Sequence, residues 1–143
     1  MEDRYLFKAK RIDNGEWVEG YLIYSKKDCY ICEKPYECMG EYSSLNGQSY
    51  GFGGFKLVDP HTICQCTGSK DKNGKLIWEN DIVRDEHGNF YKAFWQNNYY
   101  QFSWVCVKTD VFSIGAKWDL WSIKSFEIEV IGNIFDNTEL LEV

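Results

Sequence analysis

Six cysteines carry the most reactive chemistry in this chain: Cys29, Cys32, Cys38, Cys64, Cys66 and Cys106. Thiolates hold zinc or attack electrophiles, so their spacing comes first. Cys29-x-x-Cys32 together with Cys64-x-Cys66 invites a zinc reading. Structural zinc sites, however, set their paired ligands in tight turns about two to four residues apart. Ile63-Cys64-Gln65-Cys66-Thr67 instead alternates as a strand, which puts both thiols on one face as small buried hydrophobes. In a reducing compartment the six are expected to be free thiols rather than disulfides, and no metal or cofactor is expected. The two histidines, His61 and His87, both sit in turn-like sequence. His61 with Cys64 is the one base–nucleophile pair in reach of a local arrangement, and no orienting acid accompanies it. Asp81, Asp85 and Glu86 could gather for Mg²⁺ or acid–base work, but strand-end carboxylates are usually solvated. The chain is therefore expected not to be an enzyme, with no catalytic residue.

The elements that would position such groups are written in the composition. Aromatics, Ile and Val total 44 of the 143 residues, against 13 for Ala, Leu and Met. Branched and aromatic side chains fit a pleated, half-buried surface, so the fold is expected to be mainly β with little helix. No apolar run approaches the ~20 residues of a membrane helix. Met1-Glu2-Asp3-Arg4 opens on acid rather than on a basic, then apolar, leader. The expectation is a cytoplasmic protein without a membrane association.

Hairpins follow one another along the chain. Tyr5 to Arg11 alternates with Tyr5, Phe7 and Ala9 on one face, Asp13-Asn14-Gly15 turns, and Trp17 to Tyr24 returns. Cys29 to Glu33 is a short third strand. Periodicity then collapses through residues 34–55, where Gly40, Gly47, Gly51, Gly53 and Gly54 mix with Tyr36, Tyr42, Tyr50, Phe52 and Phe55. Such long glycine–aromatic loops usually carry function. After the turn at Asp59-Pro60, strands are expected at 63–67, 75–78, 82–85, 90–95, 99–109 and 127–132. Asn-Gly at 73–74 is expected to supply another pair of positive-φ hairpin positions. A helix is allowed over 111–121, and a single turn at 137–141. We expect a hairpin-rich N-terminal lobe over residues 1–57 and a small C-terminal β-barrel, SH3-like, over 58–143, the two sharing one core in the alternative case.

Four segments together resemble the YopX family of phage and prophage proteins: GEWVEGYLI (15–23), VDPHTICQCTG (58–68), KDKNGKLIWENDIV (70–83) and EVIGNIFDNTELLEV (129–143). The resemblance implies a bacteriophage or prophage protein, acting in a bacterial host, with a β-rich fold and no assigned biochemical activity. Cys64 and Cys66 stand where the family tends to carry Gly and an aromatic, which argues against a shared metal site. Asn80 replaces a turn glycine and is expected to take the left-handed backbone region, which Asn tolerates best after Gly. Thr138 replaces a proline. The shared segments read as structural: Asp59 and Pro60 set a turn, Gly68, Gly74 and Asn80 relieve backbone strain, and Ile77, Ile82, Val83, Val130 and Ile134 fill a core.

Charge narrows the function further. The formal net charge is −6, of which −5 falls in residues 71–143. Direct binding to nucleic acid needs clustered Lys and Arg, and from Asp85 to Trp104 the one cation is Lys92. Six Trp in so small a chain exceed what one core comfortably hides. The sequence therefore points to a protein–protein interaction or self-assembling module, with Tyr50, Phe52 and Phe55 in the contact. The competing reading is nucleic-acid-related, either a single-strand binder stacking bases on its aromatic strands or an acidic DNA mimic acting on a host enzyme.

Overall fold

A computed structural model describes residues 3–33 and 55–141. The described strands form two antiparallel sheets of six and five strands. By compactness the chain divides into one unit over Arg4–Gln65 and a second built mainly from Cys66–Val143.

In the N-terminal unit, β1 (Phe7–Lys10), β2 (Trp17–Ser25), β3 (Asp28–Cys32) and β4 (Phe55–Val58) pair in the order β4-β3-β2-β1. The start of β5 (Cys64–Lys70) lies against the outer side of β1, with Phe7 opposite Gln65. Alternation decides which face is buried. Ala9, Val18, Cys29, Ile31 and Val58 form the core cluster, joined by Phe7, Leu22 and Ile63. Phe7 and Ala9 pack as their period-2 spacing requires, whereas Tyr5 precedes the strand in a 3₁₀ turn and is exposed. Gly20 sits on the core face of β2 between Val18 and Leu22. A Cβ there would collide with the Cys32 carbonyl oxygen, so only glycine admits the chain leaving β3.

In the C-terminal unit, β6 (Leu76–Trp78) pairs with the later part of β5. β7 (Asp81–Arg84), β8 (Phe90–Gln96), β9 (Gln101–Lys108), β10 (Lys117–Asp119) and β11 (Glu129–Asn133) form the sheet β10-β9-β8-β7-β11. Two cross-strand rows make its core: Val83–Tyr91–Cys106, and Ala93–Trp104–Trp118. Ile77 and Ile128 complete the buried cluster. The Trp104 indole N–H donates to the Leu120 carbonyl at 3.1 Å, which satisfies the polar end of a ring that is otherwise fully buried.

Several expectations change on contact with the structure. Among the described residues neither sheet closes on itself, so the fold is mainly β but an open two-sheet arrangement rather than a barrel. The segment 111–121 forms no α-helix. Ala116, Trp118 and Leu120 pack on the core at a period of two, which builds β10 and a following 3₁₀ turn. The single turn near the C-terminus is present as a 3₁₀ helix over Thr138–Leu141. β4 had no separate strand signal, because its four residues follow directly on the glycine-rich stretch. Cys29, Cys64, Cys66 and Cys106 are buried thiols outside any disulfide, but Cys32 is disulfide-bonded, contrary to the expectation of thiols throughout.

The turn chemistry is partly as expected. Gly15, Gly68, Gly74 and Asn80 all have positive φ, Asn80 at 72°. Asn14 and Asn73 do not, so these are not two-residue loops with both positions left-handed. The loop after Asp71 has three residues, with the Asp71 N–H donating to the Lys75 carbonyl and the Gly74 N–H to the Asp71 carbonyl. Glycine alone there supplies the left-handed position.

Gly20→Ala should lower stability by about 1–3 kcal/mol, because its new methyl meets backbone rather than a flexible side chain. Urea unfolding followed by tryptophan fluorescence checks this; an unchanged midpoint would show that the β2–β3 approach is not tight.

Candidate functional site

Two hairpin loops of the C-terminal unit share one design, Asp-Lys-Asn-Gly-Lys at 71–75 and Asp-Glu-His-Gly-Asn at 85–89. In each, one carboxylate oxygen accepts the backbone N–H groups two and four residues on. For Asp71 these are Asn73 and Lys75, and for Asp85 they are His87 and Asn89, all at 2.9 Å. Gly74 and Gly88 close the loops at φ of 81° and 83°. The second oxygen reaches further. That of Asp71 accepts the Val130 N–H at 2.9 Å and so ties the β5–β6 loop to β11, 59 residues on. That of Asp85 accepts the Asn89 amide at 2.9 Å and the Tyr91 hydroxyl at 3.0 Å. Thr109 donates to the Asn89 side-chain oxygen at 2.6 Å and accepts from the Val111 and Phe112 N–H groups.

Electrostatics follow from these contacts. Burial alone would raise the Asp71 carboxyl, but the N–H groups of Val130, Lys75 and Asn73 outweigh it and hold the group below the usual range. Burial likewise opposes ionisation of Asp85, and its bonds from Asn89, Tyr91 and His87 prevail in the same direction. Burial, then the bond to Asp85, pushes the Tyr91 hydroxyl far up, so it remains a donor. Burial also raises the Cys106 thiol, which favours its neutral form. The shifted groups thus stabilise loops: ionised acceptors are surrounded by fixed donors.

The groups singled out for chemistry are dispersed. His61 is exposed on the 3₁₀ turn that Asp59 caps, whereas Cys64 is 1% exposed and its thiol donates to the Thr62 carbonyl at 3.3 Å. An external substrate does not reach that sulfur. Asp81 is buried and accepts the Trp78 N–H at 2.8 Å, while Glu86 lies at the surface beside His87. Among the described residues no three His, Cys, Asp or Glu converge on a point that could hold a metal ion.

Of the three expected contact residues, Phe55 is the one among the described residues. Tyr50 and Phe52 lie outside the described residues. Phe55 is half-buried on β4, its ring centroid 6.1 Å from that of Tyr30. Register places Ile23, Tyr30 and Leu57 in one cross-strand row and Tyr21, Cys32 and Phe55 in the next. Both rows occupy the face opposite the Val18–Ile31–Val58 core. Ile23, Tyr24, Ser25, Tyr30 and Phe55 line a recess of about 560 Å³ on this unit. Ile23, Leu57 and Tyr24 are 37%, 40% and 70% exposed. Sequence reading missed Ile23, Tyr24, Tyr30 and Leu57. The available signal was Tyr21-Leu22-Ile23-Tyr24, where strict alternation gives way to apolar residues on both faces of β2.

Asp71→Asn should cost about 2 kcal/mol at neutral pH, because the amide turns a donor toward backbone donors and the charge-assisted bonds are lost. With its folded pKa depressed, Asp71 stabilises the fold above the unfolded value near pH ~4, and that contribution disappears as pH falls through the lower folded value. Wild type should therefore lose stability more steeply than Asp71→Asn on acidification below about pH 4. Thermal unfolding across pH 2–7 measures it, and parallel curves would contradict the assignment.

The family described as YopX protein matches residues 6–142, nearly the whole chain and both units. No curated protein matches the sequence. On the strength of that near-complete match, the chain belongs to the YopX family.

Proposed function

We propose that this YopX-family chain is a non-catalytic interaction module of phage or prophage origin, working in the bacterial cytoplasm. Its contact is the outward face of the β2–β3–β4 sheet, with Phe55 at one edge and Tyr50 and Phe52, from the sequence reading, contributing to the same surface. The occupant is a protein partner or a second copy of the chain. One observation carries the reading: Ile23, Tyr30 and Leu57 form an apolar row on the side of the sheet away from its core, beside a recess walled by Tyr24 and Phe55. Aromatic rings at such a position give large contact area for little lost side-chain freedom. Isolated exposed apolar residues are ordinary, but rows of them rimmed by polar residues mark contact surfaces.

The absence of a cation cluster between Asp85 and Trp104 weighs against direct nucleic-acid binding by the aromatic strands, since phosphate neutralisation supplies most of that affinity.

Ile23→Asp with Leu57→Asp places two charges in the row without touching the buried cluster. Light scattering of wild type and variant, with affinity capture on both from bacterial lysate, tests the proposal. The variant is expected to keep its unfolding temperature but to lose self-association or a captured partner that wild type retains. Identical assembly and identical captured proteins would refute the placement of the contact.

A further inference from the structure

The hairpin joining β8 to β9 differs from the rest of the chain in its charge. From Ala93 to Val107 there is no Asp, Glu, Lys or Arg, in a sequence that is 27% charged. That stretch is not simply buried core. Tyr99 and Tyr100 at the tip are 67% and 83% exposed, and Trp95 just below is 40% exposed. Trp95 is braced edge-on by Phe102 across the hairpin, centroids 5.1 Å apart. Asn97 and Asn98 fill the rest of the tip and are exposed.

The base of the hairpin is fixed. Ser103 donates to the Gln96 side-chain oxygen at 2.8 Å, and the Gln101 amide donates to Ser103 at 3.3 Å and to Asp119 at 2.5 Å. Asp119 is the charge nearest in this network, and its carboxylate is occupied by Gln101. Above this base Tyr100 holds φ of 53°, a left-handed backbone that costs a β-carbon-bearing residue strain. Strain of this kind, kept at an exposed tip, is a pointer to use rather than to packing.

The ligand chemistry follows by matching. Phosphate or carboxylate ligands need cations, which this tip lacks. A protein contact of about 800 Å² per side needs a broad face, such as the three-stranded β2–β3–β4 sheet, and a hairpin tip is not one. A neutral sugar fits both constraints. Its ring C–H groups stack on exposed aromatic faces, and its hydroxyls donate and accept as tyrosine hydroxyls and asparagine amides do. We propose that the β8–β9 tip, through Trp95, Tyr99 and Tyr100 with Asn97 and Asn98, is a stacking site for uncharged oligosaccharides with flat, equatorially substituted rings.

Cellohexaose and chitohexaose titrated into the full chain, followed by tryptophan fluorescence and the Trp95 indole resonance, test this. The expected result is saturable binding of at least one of them that added salt does not weaken. Tyr99→Ala should reduce the affinity by about ten-fold, as loss of one stacking ring does elsewhere. Tyr100→Gly removes a ring while relaxing the backbone, so binding lost by that variant does not arise from unfolding. Trp121→Ala, exposed on the same unit, should bind as wild type does. No saturable response to either oligosaccharide, or undiminished binding by both tyrosine variants, would overturn the proposal.

Discussion

A carboxylate surrounded by backbone N–H groups is the interaction on which the C-terminal unit depends. Asp71 and Asp85 each convert a three-residue loop from a floppy connection into a fixed corner with one oxygen, while the other oxygen of Asp71 reaches β11 and that of Asp85 takes the Asn89 amide and the Tyr91 hydroxyl of its own hairpin. The arrangement succeeds because the donors are backbone groups that would otherwise lack acceptors in the turn. Satisfying them offsets the cost of keeping a negative charge partly away from water. Asn80 adds a related constraint. Its left-handed conformation lets its N–H reach the Ala93 carbonyl at 2.7 Å while its carbonyl accepts the Ile134 N–H, so one residue clips β8 and the segment after β11.

This frame separates groups that stabilise from groups that are offered to the outside. Within the C-terminal unit, the titratable side chains with displaced pKa values, Asp71, Asp85, Tyr91 and Cys106, are held by loops and core. The rings that remain accessible, Tyr24, Tyr99, Tyr100 and Trp121 among them, offer contact area and stacking faces. Both recognition surfaces proposed above are accordingly aromatic, and the polar networks serve the fold.

Much of the frame is legible in the sequence, for specific reasons. Alternation located β1, β2, β8 and β9 within two residues at most ends, because one face of each is buried and period two is then obligatory. Gly15, Gly74 and Asn80 announced left-handed positions that the backbone adopts. What the sequence hid was context. Trp118 and Leu120 read as part of a helix until their partners, Trp104 across the sheet and its indole bond to the Leu120 carbonyl, impose a strand and a tight turn. The Asn-Gly signal at 73–74 was right about a hairpin and wrong about its type, since Asp71, three residues before the glycine, dictates the loop. The candidate contact was harder still. Phe55 is legible as an aromatic after glycines, but the row Ile23–Tyr30–Leu57 exists only once three strands are in register.

The central claim is that Asp71 and Asp85 are struts held ionised well below neutral pH by the donors around them. Site-resolved ¹³C NMR titration of the aspartate carboxyls measures this directly. Both should titrate below the ordinary aspartate value of about 3.9. A carboxyl of either residue titrating above that value would contradict the account, because it would reveal a group held protonated by its surroundings rather than a fixed anion.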